Sequence, residues 1–65
     1  MKNFTTFKTF NYWIRNAVNA SNEQSFIMAV LMAKREAFAL FRDGLISEEA
    51  FDECIMNADT VHPCF

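Results

Sequence analysis

The chain has 65 residues, close to the lower limit at which a hydrophobic core closes without disulfides, metals or oligomerisation. Hydrophobic residues make up 52% of it and eight residues are Phe, a composition that excludes an intrinsically disordered segment. One Gly and one Pro provide too little turn chemistry for a multi-stranded sheet, and a net charge of -2 excludes a strong general attraction to nucleic acid. We therefore expect residues 1–65 to form one all-α domain.

The first predicted helix covers residues 6–20, with Thr5 or Thr6 as its N-cap. Projected at about 100° per residue, its aromatic and aliphatic residues fall on one side and its polar residues on the other. This pattern predicts an amphipathic helix packed against a core. The side that we expect to face the core carries Phe7, Phe10, Trp13, Ile14, Ala17 and Val18.

The second predicted helix covers residues 22–43. Ser21 and Gln24 have the spacing of a capping box at its beginning, and Gly44 can take the left-handed conformation that ends a helix. Its core-facing stripe is predicted to contain Phe26, Ala29, Val30, Ala33, Ala37, Leu40 and Phe41. Apolar residues continue beyond this stripe, so we expect a partner protein or a second copy of the chain to cover Ile27, Met28, Leu31, Met32, Phe38 and Ala39.

The third predicted helix covers residues 47–58, begins at Ser47 as N-cap and folds back on the second helix. A short non-helical tail, 59–65, follows it. Its core-facing side is predicted to carry Phe51, Cys54, Ile55 and Ala58. Its solvent side carries an acidic partner face, which consists of Glu48, Glu49, Asp52 and Glu53.

Residues 38–55 resemble the helix-turn-helix hairpin of the SHOCT family. The matching features are Gly44 after a helix rich in leucine and phenylalanine, the pair Ile46 and Ser47, and an acidic helix containing Phe51. The resemblance implies a tight helical hairpin and an association with oligomerisation, and it assigns no functional residue. The basic residues that this family has later in its second helix are missing here.

Catalytic and metal-binding chemistry is poorly represented in the sequence. The one histidine, His62, lies in the predicted tail near Cys64, and no other residue is placed to orient its imidazole. The spacing of Cys54, His62 and Cys64 matches no standard zinc module. We therefore expect no enzyme activity, cofactor or metal, and two reduced thiols unless an oxidising compartment pairs Cys54 with Cys64.

The sequence as a whole predicts a small non-enzymatic interaction protein, an adaptor or inhibitor that acts through apolar and acidic helix faces. Small proteins of this kind are encoded by phages and mobile elements against host proteins. No signal peptide or membrane span is recognisable, so we expect a cytoplasmic protein, with a homodimer as the favoured assembly. The alternative is a dimeric nucleic-acid-binding regulator that uses Lys8, Tyr12 and Arg15 on the outer face of the first helix.

Overall fold

The computed structural model describes residues 6–63, which form three α-helices joined by short connections. Helix α1 spans Lys8–Val18, α2 spans Glu23–Arg42 and α3 spans Glu48–Asp59. The predicted all-α, three-helix fold is confirmed, and each predicted helix end lies within two residues of the observed one. None of the described helices combines the length and the apolar character needed to cross a bilayer.

Helices α1 and α2 pack side by side in opposite directions. Phe10, near the beginning of α1, packs with Ala33 and Ala37 in the second half of α2. Trp13, further along α1, lines a groove together with Met28 near the beginning of α2. This order of contacts requires an antiparallel pair, as expected for helices joined by a short connection.

Helix α3 also runs antiparallel to α2. The Phe51 ring, in the first turn of α3, stacks on the Phe41 ring at the end of α2, with ring centroids 5.0 Å apart. At the other end of α3, the Asp59 carboxylate lies 2.6 Å from the Lys34 ammonium in the middle of α2. Helix α2 is therefore the central element, with α1 and α3 both packed on it.

The buried core is made mostly of alanine. Among residues 6–63, five of the seven buried hydrophobic residues are Ala, and the largest is Phe10, which is 4% exposed. Ala29, Ala33 and Ala37 are spaced by four residues, so they form a line along α2 that we call the alanine seam. Small side chains at a contact let helix axes approach closely, and larger apolar side chains then lie beside the contact rather than within it.

The connection between α2 and α3 is closed by backbone hydrogen bonds. Gly44 takes a left-handed φ of 77°, and its N–H donates to the Phe41 carbonyl at 3.0 Å. The Leu45 N–H donates to the Leu40 carbonyl at 2.9 Å, which completes a Schellman motif. Ser47 then caps α3, because its hydroxyl accepts from the Ala50 N–H at 3.1 Å. The roles predicted for Gly44 and Ser47 are thus confirmed.

Two predicted N-terminal caps are wrong. Helix α2 is capped by Asn22, whose side-chain oxygen accepts from the Ser25 N–H at 2.8 Å, and not by a capping box that begins at Ser21. The N-cap of α1 is Phe7, not Thr6, and the Phe7 side chain packs on the core without making a capping bond. Thr5, the other predicted cap, lies outside the described residues.

Two residues expected in the core are exposed instead. Val18 is 38% exposed because it is the last residue of α1 and points about 100° away from buried Ala17. Phe41 is 37% exposed because α3 covers only one side of its ring. Helix α3 also continues to Asp59, one residue beyond its predicted end, so the non-helical part of the tail in the described chain is shorter than expected.

The alanine seam has a direct test in Ala33→Leu. Three added carbon atoms at a fully buried position must push the packed helices apart, and we expect the free energy of unfolding to fall by about 1–3 kcal/mol. Ala39→Leu is the matched control, because Ala39 is half-buried beside an open groove. Urea unfolding of both variants measures the difference, and equal stability would contradict the seam.

Gly44→Ala tests the closing turn. Nothing lies within 4 Å of the position that a Cβ atom would take, so the change acts on the backbone alone. We expect a loss of about 1 kcal/mol in the free energy of unfolding, because an L-residue is disfavoured at positive φ. Gly44→Asn should lose less, since Asn tolerates this conformation. An Ala variant as stable as the wild type in thermal unfolding would contradict the reasoning.

Candidate protein-interaction surface

One side of α2 presents a straight row of large side chains to solvent. Ile27, Leu31, Lys34, Phe38 and Phe41 follow one another at alternating spacings of four and three residues, and we call this row the α2 stripe. Residues at these spacings lie along one line of a helix. Ile27 is 51% exposed, and Leu31 and Phe38 are each 53% exposed, so the row is an open apolar surface.

Helix α3 extends this surface on one side. Phe51 and Ile55 are half-buried and line a groove of about 600 Å³ together with Leu31 and Phe38. The Phe38 and Phe51 rings meet edge to face, with centroids 6.4 Å apart. The α2 stripe therefore continues into a groove next to α3, where Phe38 is held against α3 while half of its surface remains open. The lining of this groove also includes the charged residues Lys34, Arg35 and Arg42.

A charged pair interrupts the apolar row at its centre. The Lys34 ammonium lies 2.6 Å from the Asp59 carboxylate, and the two side chains are 38% and 54% exposed. An ion pair this open to water contributes little stability. Its main effect is local, because it neutralises the one charge within the α2 stripe and fixes where the Lys34 side chain lies.

The two long edges of the α2 stripe carry opposite charges. Arg35 and Arg42 are exposed and follow the stripe positions Lys34 and Phe41 by one residue, which places them along the edge away from α3. Along the other edge, Asp52 and Asp59 lie three residues before and four residues after Ile55, on the same side of α3. Exposed Glu48 lies one further turn along that side, and this gives the surface one basic edge and one acidic edge.

The predicted acidic partner face is exposed along the solvent side of α3. Glu48 and Asp52, four residues apart, lie nearer the α2 stripe. Glu49 and Glu53 are also four apart and lie nearer α1, where Glu53 lines a groove of about 350 Å³ between α1 and α3. The four carboxylates therefore border two different grooves, one on each side of α3.

The predicted partner or dimer interface is only partly exposed. Four of its six residues are exposed: Met28 at 57%, and Ile27, Leu31 and Phe38 at 51–53%. The other two, Met32 and Ala39, are half-buried. The exposed apolar surface of α2 thus consists of the α2 stripe and Met28, while Met32 and Ala39 contribute less to it than predicted. The sequence prediction omitted stripe members Lys34 and Phe41, although the alternating spacing of four and three was present in the sequence as a signal for them.

The predicted nucleic-acid face is exposed but small. Lys8, Tyr12 and Arg15 are all exposed on the outer side of α1. The Tyr12 ring meets the Trp13 ring edge to face at 5.1 Å, so one of its sides is already occupied. Two cations offer few contacts for a phosphate backbone, whose affinity for a protein grows with each charge that is neutralised.

The residues considered for catalysis or metal binding are not brought together in the described chain. Cys54 is a free thiol that is 5% exposed in the core, whereas His62 is exposed on the segment after α3. Cys64 lies outside the described residues. Within residues 6–63, no group of three or more His, Cys, Asp or Glu side chains is placed to hold a metal ion. Burial of Cys54 raises the pKa of its thiol above the ordinary 9.0, and the negative charge of Glu53 raises it further.

Protein-family models, curated proteins and solved structures include no match for the chain. The resemblance of residues 38–55 to the SHOCT hairpin therefore stays a prediction. The main exposed apolar feature of the described chain is the α2 stripe with its two charged edges.

The raised pKa of Cys54 predicts a pH dependence of stability. The folded chain favours the protonated thiol, so its contribution is fully present below the unfolded pKa, near 9, and is lost as pH rises through the folded pKa. Relative to a Cys54→Ala variant, we expect the free energy of unfolding of the wild type to fall above pH 9. Groups common to both proteins cancel in this comparison of urea unfolding, and parallel pH profiles would contradict the prediction.

Proposed function

We propose that this chain is a small non-enzymatic interaction protein that binds another protein chain through the α2 stripe and the carboxylates of α3. The observation that carries the proposal is the row formed by Ile27, Leu31 and Phe38, each more than half exposed on one side of α2. Contiguous apolar patches on small soluble domains are typical of interaction sites, because solvent exposure of such a patch is unfavourable.

The composition of the stripe supports binding by burial. Aromatic side chains are enriched at the centres of protein interfaces, where they fill pockets on the partner and lose contact with water. Phe38 is suited to such a role, because contact with Phe51 restricts its ring before any partner arrives. A side chain that is already ordered loses less conformational entropy on binding.

The carboxylates of α3 add a preference for the charge of the partner. Glu49 and Glu53 are exposed as a pair on the side of α3 away from the stripe. Such a pair favours encounter with a basic patch and raises the association rate at low salt more than it raises affinity. In this proposal the chain is an adaptor or inhibitor that covers the working surface of a host protein, as phage-encoded inhibitors do.

An affinity-capture experiment with matched variants tests the proposal. The tagged chain is used as bait in a lysate of its own host, and each captured protein is then purified and titrated by calorimetry. We expect Leu31→Glu combined with Phe38→Glu, or Glu49→Lys combined with Glu53→Lys, to weaken binding at least about 10-fold. Lys8→Ser combined with Arg15→Ser is the control, and its affinity should stay within about 2-fold.

Two outcomes would contradict the proposal. One is that no captured protein responds to changes on the α2 stripe or on α3. The other is that only the Lys8 and Arg15 variant loses its bound material and that nuclease treatment releases this material from the wild type. This second result, together with strongly salt-dependent binding, would favour the nucleic-acid-binding regulator.

A further inference from the structure

We infer that a second copy of this chain occupies the α2 stripe, with the two α2 helices parallel and related by a two-fold axis that runs along them. The inference rests on the proposed function, because it takes the stripe to be a binding surface. It names the occupant in the absence of a target, so a target protein that binds the stripe must displace the second copy. It commits to one occupant and one orientation. Both follow from the spacing of the stripe and from the charges along its edges.

The spacing of the stripe is that of a two-stranded coiled coil. Side chains that meet in such a pair recur at alternating intervals of three and four residues, at heptad positions a and d. In this register Ile27, Lys34 and Phe41 occupy d positions, and Leu31 and Phe38 occupy a positions. The stripe keeps this alternation over two heptads, from Ile27 to Phe41.

The edges of the stripe are complementary to those of a second copy. Position e, which follows d, is held by Met28, Arg35 and Arg42, all exposed. The Arg42 guanidinium lies 3.6 Å from the Asp43 carboxylate of its own chain, an open contact that leaves the arginine accessible.

Position g, on the opposite edge, is held by half-buried Val30 and buried Ala37, and α3 lies next to this edge. In an ordinary coiled coil the acidic side chains at g lie along this edge. Here the carboxylates of α3 take that place.

These charges select the parallel orientation. In a parallel pair the g edge of one helix faces the e edge of the other, so the acidic edge of each chain would face the arginines of its partner. The stacking of Phe51 on Phe41 places the beginning of α3 near the end of α2. Glu48 and Asp52 would therefore be closest to the partner's Arg42. The two-fold axis makes this attraction occur twice. In an antiparallel pair the e edges would face each other, as would the g edges, so that arginines would lie near arginines and carboxylates near carboxylates.

The central ion pair is consistent with this arrangement. A polar residue at one core position of a coiled coil fixes its register at a cost in stability. Lys34 would lie opposite the partner's Lys34 at the dimer axis, where two bare ammonium groups would repel each other. Each is neutralised within its own chain by Asp59, at 2.6 Å. The pair therefore allows a lysine at the centre of the interface.

The expected dimer is weak to moderate. The stripe from Ile27 to Phe41 covers about 21 Å of helix axis, and a coiled coil this short is marginal unless other surface is buried with it. The groove residues Phe51 and Ile55 provide some of that additional surface. Stable interfaces bury about 800 Å² per partner, and a stripe this short provides only part of such an interface. We therefore expect a dissociation constant on the order of micromolar.

Charge reversal provides the test. One variant carries Arg35→Glu with Arg42→Glu, and a second carries Glu48→Arg with Asp52→Arg. Each alone should dimerise at least about 10-fold more weakly than the wild type in sedimentation equilibrium, because like charges face each other. An equimolar mixture of the two should form a heterodimer at the wild-type affinity. Glu49→Arg with Glu53→Arg makes the same change in net charge on the other side of α3 and should dimerise normally.

Cross-linking tests the orientation. In a parallel two-fold pair, position 31 of one chain faces position 31 of the other, so Leu31→Cys in a Cys64→Ser background should form a disulfide-linked dimer on oxidation. Circular dichroism confirms that each variant remains helical. A wild type that stays monomeric at high micromolar concentration, or a dimer that is unaffected by either charge reversal, would overturn the inference. A monomer whose target binding still depends on the stripe would leave the proposed function standing.

Discussion

The packing of α1 and α3 against the alanine seam of α2 is the constraint on which the rest of the structure depends. Because Ala29, Ala33 and Ala37 are small, neighbouring helices can lie close to α2 along this line. Close packing gives many weak contacts but leaves little room for large side chains between the helices. The larger apolar residues of α2 therefore lie outside this contact, and Ile27, Leu31 and Phe38 belong to the side of α2 that stays open to solvent.

The same constraint arranges the charges. With α3 fixed beside the stripe by the stacking of Phe51 on Phe41, its carboxylates border one edge of the apolar row, while the arginines of α2 border the other. Lys34 lies between them and is paired across the helix contact. The interaction surface is thus a property of the hairpin formed by α2 and α3 and not of either helix alone. A peptide with the sequence of α2 would lack its acidic edge.

Much of the fold could be predicted from the sequence because its signals are local. Gly44 and Ser47 determine the second turn through backbone conformation and a single side-chain bond, and both roles were recognisable from neighbouring residues. Whether Ser21 or Asn22 caps α2 could not be predicted in the same way, because Ser and Asn have similar N-cap propensities. The side of α2 left open was also mistaken at Met32 and Ala39. Periodicity identifies apolar faces, but which of them a neighbouring helix covers is decided by tertiary packing.

The order of contacts along the chain has a kinetic consequence. Each helix packs on the one that follows it in sequence, so two short connections bring the main packing surfaces together. Loop closure is then inexpensive in entropy, and chains with such low contact order fold in about microseconds to milliseconds. A protein of this topology would reach its folded state soon after synthesis, before the apolar residues of its core had long to meet other unfolded chains.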